Sequence, residues 1–207
     1  MESLSTVLRP RRKFIIVCAA VAAILAALIS LTQPLKYSAT VRLLITERGT
    51  LSLDPYTALR STELIADNLA QLAQTSSFFD RVLQSGYKID AQYFSGTEQH
   101  RRKLWGQTVS ANSVRGTGLL EITAYHPVPA EAIKIVSAMS LLLSTQGSDY
   151  IGRDLTVRLV DAPLQSRFPV KPNIPLIMAV GALLGCIFAS GRVWFAHRRK
   201  RHHGAGG

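Results

Sequence analysis

The sequence predicts an α+β fold: two transmembrane helices flanking a mixed α/β exported domain, in the order strand-helix-strand-strand-helix-strand. Three observations predict it. The two longest apolar runs stand at the two ends of the chain, each beside a cluster of basic residues. Between them lie segments that alternate apolar and polar residues with period two, as half-buried strands do. Those segments are separated by stretches with apolar residues at helical spacing.

The first run, Phe14 to Leu31, is apolar except for Ser30, and Arg9, Arg11, Arg12 and Lys13 precede it. The second, Ile174 to Gly191, is interrupted only by Pro175 and Ser190; Arg192, Arg198, Arg199, Lys200 and Arg201 follow. As a helix, each run suffices to cross a hydrocarbon core of about 30 Å. Basic residues mark the cytoplasmic side of a spanning helix, and both clusters lie on the terminal sides. The expected organisation is a basic cytoplasmic N-terminus (1–13), a first membrane helix (14–33), an exported domain (34–172), a second membrane helix (173–195) and a basic cytoplasmic tail (196–207). A cleaved signal peptide is the rival for the first run. Its apolar core would be about 7–15 residues with a small-residue cleavage site after it. Leu31-Thr32-Gln33-Pro34-Leu35 offers no such site, so an uncleaved anchor is expected.

The formal charge of +11 raises nucleic acid as a partner, but its distribution argues against that. The terminal segments hold nine of the 24 Lys and Arg and one of the 13 Asp and Glu, so they carry +8 and leave the exported domain +3. That is a topology signal and a handle for anionic lipids at the basic termini, not the footprint of nucleic-acid binding. Both cysteines, Cys18 and Cys186, fall inside the membrane runs, so no disulfide supports the exported domain. Its stability must come from a packed core or from neighbouring subunits.

Tyr37 to Thr46 places Tyr37, Ala39, Val41, Leu43 and Ile45 on one face, as a half-buried strand does. Glu47 to Pro55 reads as a loop. Tyr56 to Gln74 reads as an amphipathic helix with Leu59, Leu64, Ile65, Leu69, Leu72 and Ala73 on its apolar face. Ser76 or Ser77 is expected to cap a short helix, Phe78 to Ser85, closed by Gly86. A weak helical pattern opens at Thr97 and Glu98 and runs through Leu104. Gln107 to Val114 and Leu119 to Tyr125, around Arg115-Gly116-Thr117-Gly118, read as a hairpin. Pro129 suits the first turn of a strongly apolar helix from Ala130 to Ser144, which should be nearly enclosed. Leu155, Val157 and Leu159 alternate in a last strand that leads into Ala162-Pro163 and Phe168-Pro169-Val170-Lys171-Pro172. Helices are expected on one face of the sheet.

Four pieces of this layout resemble the polysaccharide co-polymerases, the Wzz-type chain-length determinants of bacterial inner membranes. The first is the strand from Tyr37 through Ala39 to Ile45, directly after the first membrane helix. The second is Leu120-Glu121-Ile122-Thr123-Ala124, then Pro127-Val128-Pro129-Ala130 and a helix, which is similar to the family's strand, Asp-Pro-x-x-Ala and helix. The third is the last strand, Val157 to Asp161, with Ala162 after it. The fourth is the proline-rich approach to the second membrane helix, Pro163, Pro169, Lys171 and Pro172, with Gly181 and Gly185 inside that helix. His126 departs from the pattern, standing where the family usually has the acid before Pro127, and the exported domain is short for a long helical arm. The resemblance implies a non-enzymatic, homo-oligomeric inner-membrane scaffold without cofactors. It implies a periplasmic central domain and a role in chain length, assembly or export of an O-antigen, capsule or exopolysaccharide. Implied partners are a separate polysaccharide polymerase, a cytoplasmic tyrosine kinase and an outer-membrane exporter. The alternatives are a membrane adaptor of such a kinase, as short members resemble, and a two-pass ligand sensor. The segment after Phe195 is too short for a kinase or a sensor output domain, and no Walker-type loop appears in the sequence.

No Ser-x-x-Lys or Gly-x-Ser-x-Gly context suggests a nucleophile, and the exported histidines, His100 and His126, have no cysteine nearby. No catalytic, cofactor or metal residue is nominated. His100-Arg101-Arg102-Lys103 with Trp105 is the concentrated charge run outside the membrane. One reading is contact with an anionic glycan or pyrophosphate lipid through charge and an aromatic platform; the other is a solvated helix face with a buried tryptophan. Gly181, Gly185 and Ala189 form a small-residue stripe, matched by Ala19, Ala23 and Ala27 in the first helix. Such stripes allow close helix packing in lipid, within or between subunits; generic alanine-rich membrane composition is the other reading.

Overall fold

The computed structural model describes residues 12–47, 54–152 and 154–203. Arg9, Arg11 and most of the expected loop from Glu47 to Pro55 lie outside them. The chain forms two units, Met1–Pro34 with Lys171–Gly207, and Leu35–Val170. The first unit contains helices α1 (Arg12–Leu31) and α6 (Ile174–His203). Lys13–Leu31 and Ile174–Trp194 are long and apolar enough to cross a membrane. The helix α6 runs on beyond the apolar stretch through the basic tail. Asn173 starts it, its side-chain Oδ1 accepting from the Leu176 N–H at 3.3 Å.

The second unit holds β1 (Tyr37–Glu47), α2 (Pro55–Leu72), α3 (Ser76–Leu83), α4 (Glu98–Thr108), β2 (Val109–Val114), β3 (Leu119–His126), α5 (Pro129–Ile151) and β4 (Leu155–Gln165). The strands form one sheet in the order β2-β3-β1-β4. All three pairings are antiparallel, so the expected mixture is one of helix and strand, not of strand direction. With its two helical crossovers this is the split β-α-β arrangement. The odd-numbered residues of β1, Ala39, Val41, Leu43 and Ile45, are buried together with Leu120, Ile122 and Ala124 of β3. Ile65, Leu69 and Ala73 of α2 and its cap, and Ile135, Met139 and Leu143 of α5, complete that core. Each such large side chain contributes about 1.5–3 kcal/mol by leaving water. The opposite sheet face is polar: Thr40 bonds Thr123 at 2.9 Å, and Arg42 lies between Glu121 (2.9 Å) and Asp161 (3.5 Å).

Several elements differ from their sequence reading, each for a local reason. Asp54, read as part of the loop, caps α2 by accepting from the Tyr56 and Thr57 N–H groups at 2.9 and 3.3 Å. On α2, Leu59 and Leu64 are exposed, while Ala66 and Ala70 enter the core. Leu64 stands about 100° round from Ile65, and Leu59 precedes the first core residue. Thr75, not a serine, caps α3: its hydroxyl accepts from the Phe78 N–H at 3.3 Å. Gln107 and Thr108 belong to α4, so β2 begins at Val109. The helix α5 extends past Ser144 to Ile151 and closes at Gly152 in the left-handed region.

The last strand also runs further than expected, through Ala162 and Pro163 to Gln165. Its position on the sheet edge explains why proline is tolerated. The pairing with β1 shifts register between Thr40↔Leu164 and Arg42↔Asp161. Pro163 falls in that irregularity, where its missing N–H removes no ladder bond. The hairpin between β2 and β3 needs its glycines. Gly118 has φ +63°, its carbonyl accepts from the Ile45 N–H at 3.0 Å, and a Cβ there would lie 2.6 Å from Thr62 Cγ2.

Candidate functional site

Two constructions stand out, one in each unit. In the membrane hairpin, α1 presents Cys18, Ala19, Ala22, Ala23, Ala26 and Ala27 along its shielded side, at helical spacing. Gly181 and Gly185 of α6 face that stripe. A Cβ at Gly181 would lie 2.7 Å from Ala26 Cβ, and one at Gly185 would lie 2.8 Å from Ala22 Cβ and 2.9 Å from Cys18 O. Real Cβ contacts are not that short, so the two backbones approach as closely as only glycine allows. Ala189 is buried on the same line. Ala22 and Ala26, missed in the sequence reading, make the closest contacts. The signal for them was present: they continue the three-and-four spacing from Ala19 and Ala23. The stripe packs within one chain.

In the second unit, the motif positions of three strands converge at one end of the sheet. Tyr37 pairs with His126, and Ala39 with Ala124 on one side and Gln165 on the other. Beyond β4 the pairing continues: the Ser166 N–H donates to Ser38 O at 2.7 Å, and the Val170 N–H to Lys36 O at 2.8 Å. Pro163 and Pro169 thus flank a segment bound to the start of β1. Lys171 and Pro172 follow it, immediately before the Asn173 cap of α6.

At the same end, His126 closes β3. It is buried, and its Nδ1 accepts from the Val128 N–H at 3.1 Å, across Pro127. A carboxylate before Pro127 would accept that same bond, so histidine here replaces an acid without losing the turn. Its ring meets Tyr93 edge-on, with centroids 4.3 Å apart. Burial pushes its pKa below the ordinary histidine value, against the raising influence of the Val128 carbonyl, which lies 3.2 Å from the same Nδ1 and accepts from it when the ring is charged, and of Glu131 and Asp90. Ala130, one residue into the exposed start of α5, is followed by Glu131, which ties three segments. Its carboxylate accepts from the Asp90 N–H at 2.9 Å and from Lys134 Nζ at 2.7 Å, and Lys134 reaches Lys88 O at 3.2 Å.

The basic run on α4 is placed differently from a glycan platform. Trp105 is 1% exposed and donates Nε1–H to Ala73 O at 3.1 Å. Phe79 and Phe94 pack against it. Arg101 bonds Asp80 at 2.8 Å and lies over the Phe79 ring, while Arg102 bonds Glu98 at 2.9 Å. Lys103 is exposed. The cations and the tryptophan therefore do not form one surface; the ring lies in the core.

A polar groove of about 630 Å³ between α2 and β2 was not visible in the sequence. Arg60, Asp67, Gln71, Gln74, Asn112 and Arg115 line it, so it offers hydrogen-bond donors and acceptors. Its residues come from elements some forty positions apart, and no spacing rule joins them. Among the described residues, no cluster of three or more His, Cys, Asp or Glu is arranged to hold a metal ion.

No curated protein matches the chain. A family model does, and its match spans α1, β1, α2 and α3, the part that contains the first membrane helix and the Tyr37–Ile45 strand. Residues 2–90 match the model of the Wzz chain length determinant protein, the family that the four sequence pieces resemble, and the chain carries a Wzz-type region there.

Proposed function

We propose that the chain is a non-enzymatic, two-pass inner-membrane scaffold that regulates the chain length, assembly or export of a surface polysaccharide. Both termini are cytoplasmic and the central domain is periplasmic in this reading. The Wzz match over residues 2–90 carries it. The two apolar helices and the basic residues on their terminal sides support it. The scaffold works as a homo-oligomer beside a separate polymerase, and the donors and acceptors of the α2–β2 groove suit a hydroxyl-rich chain.

The test is the gel profile of polysaccharide extracted from wild-type, deletion and complemented cells. Deletion should change the length distribution or the amount of polymer, and leave sugar-nucleotide pools intact. An unchanged profile with loss of a transcriptional response would turn the reading toward a sensor.

A further inference from the structure

At the end of the sheet where β1 begins and β4 leaves, the domain exposes an apolar knob. Leu164 is 76% and Phe168 74% exposed, and Leu35 and Val170 are open as well. The hydrogen bonds from Ser166 to Ser38 and from Val170 to Lys36 hold the two chain segments side by side, so these four residues belong to one place. Lys36 and Arg167 stand among them, and no Asp or Glu occurs from Ala162 to Asn173 or from Leu31 to Thr46. A soluble domain gains nothing by holding phenylalanine and leucine in water, so the patch calls for an occupant.

We propose that this knob is an interfacial anchor that sits in the headgroup region of the bilayer crossed by the chain's own helices. The proposal rests on the reading that α1 and α6 span that bilayer. Two observations select lipid. One is tether length. Leu35 follows the end of α1 after Thr32, Gln33 and Pro34, and Val170 precedes α6 by Lys171, Pro172 and Asn173. Four residue steps reach at most about 14 Å, and the Thr32 and Gln33 N–H groups fold back onto Ile29 and Ser30, which shortens the first tether. The headgroup layer on each side of the hydrocarbon is roughly 5–8 Å deep. The other is composition: an aromatic ring, aliphatic side chains and the cations Lys36 and Arg167, on two segments that carry no acid, are what an anionic lipid interface takes up, and Glu131 at the same end of the sheet is already paired with Lys134.

Spin labels on single cysteines test this, in full-length protein whose Cys18 and Cys186 are changed to alanine. The protein is reconstituted in vesicles of equal phosphatidylcholine and phosphatidylglycerol. Leu164→Cys and Phe168→Cys are compared with Leu183→Cys, on the outward side of α6, and with Tyr56→Cys, exposed on α2. Collisions with oxygen and with a water-soluble nickel complex are measured. The labels at 164 and 168 should favour oxygen several-fold more than the label at 56 does, approaching the one at 183. Nickel accessibility equal to that at position 56, with 183 in lipid, overturns the anchor alone. Shielding from both reagents overturns it in favour of a protein neighbour. A water-exposed label at 183 overturns the spanning reading itself, and the anchor with it. Lys36→Glu with Arg167→Glu should move the label at 168 toward water in this mixture and not in phosphatidylcholine alone; an equal shift in both removes the electrostatic half of the proposal.

Discussion

His126 is a side chain whose chemistry depends on its burial. It holds the turn into α5 as a neutral acceptor, and burial lowers its pKa from 6.5. The unfolded chain therefore binds a proton that the folded chain resists. Stability is unaffected well above the ordinary value and falls as pH drops through about 6.5. Lys36, Glu131 and Asp90 act on the same ring. His126→Asn keeps an acceptor for Val128 without the titration. Thermal unfolding of the detergent-solubilised chain between pH 8 and 5 should show a steeper loss for the wild type than for this variant. Equal slopes would mean that the histidine does not set the acid limb. Trp105 makes a simpler case. Trp105→Ala should cost about 3–5 kcal/mol through the cavity it leaves. Trp105→Phe should cost about 1–3 kcal/mol, because the Ala73 carbonyl loses its buried donor. Denaturant melts of both variants check the order.

At the scale of elements, the membrane hairpin is the sharpest case. Gly181 and Gly185 abut the backbone of α1, whereas Leu183 is 64% exposed on the other side of the helix. A leucine at either glycine must push the helices apart and forfeit the dispersion contacts of the whole seam. Leu183→Ala removes only contacts that lipid replaces. The native cysteines report this directly, since Gly185 faces Cys18 and is followed by Cys186. Crosslinking of Cys18 to Cys186 by a short bifunctional reagent should drop several-fold in Gly185→Leu and Gly181→Leu and persist in Leu183→Ala. Undiminished crosslinking in the glycine variants would show that the seam tolerates bulk. The sheet shows a related lesson in β4, where an edge position and a shifted register let Pro163 lie inside a strand.

For the whole molecule, topology is the property that function depends on. Basic residues on both terminal sides predict that the domain between the helices lies outside. A cysteine at Tyr56, in a background without Cys18 and Cys186, should react with an impermeant maleimide in intact spheroplasts. Reaction only after the membrane is opened would reverse the orientation and, with it, the proposed meeting of the domain with exported polymer.

The chain's local patterns determined a good deal without help. Nearly continuous apolarity over a bilayer's width marked α1 and α6, and period-two alternation marked β1, because both signals are averages over many residues that no single contact can overturn. The glycine stripe was legible for the same reason, as was the turn residue Pro129. Tertiary structure alone decided the rest. It decided that Trp105 belongs to the core rather than to a charged surface, since a neighbouring run of cations says nothing about which way the ring turns. It decided that α4 persists to Thr108, because burying Trp105 and bonding it to Ala73 outweighs the strand preference of the residues that follow. It placed β1 between β3 and β4, which brought Tyr37, His126 and the Ser166–Val170 segment to one end of the sheet. Residues more than a hundred positions apart meet there through backbone pairing and burial, which sequence spacing does not encode.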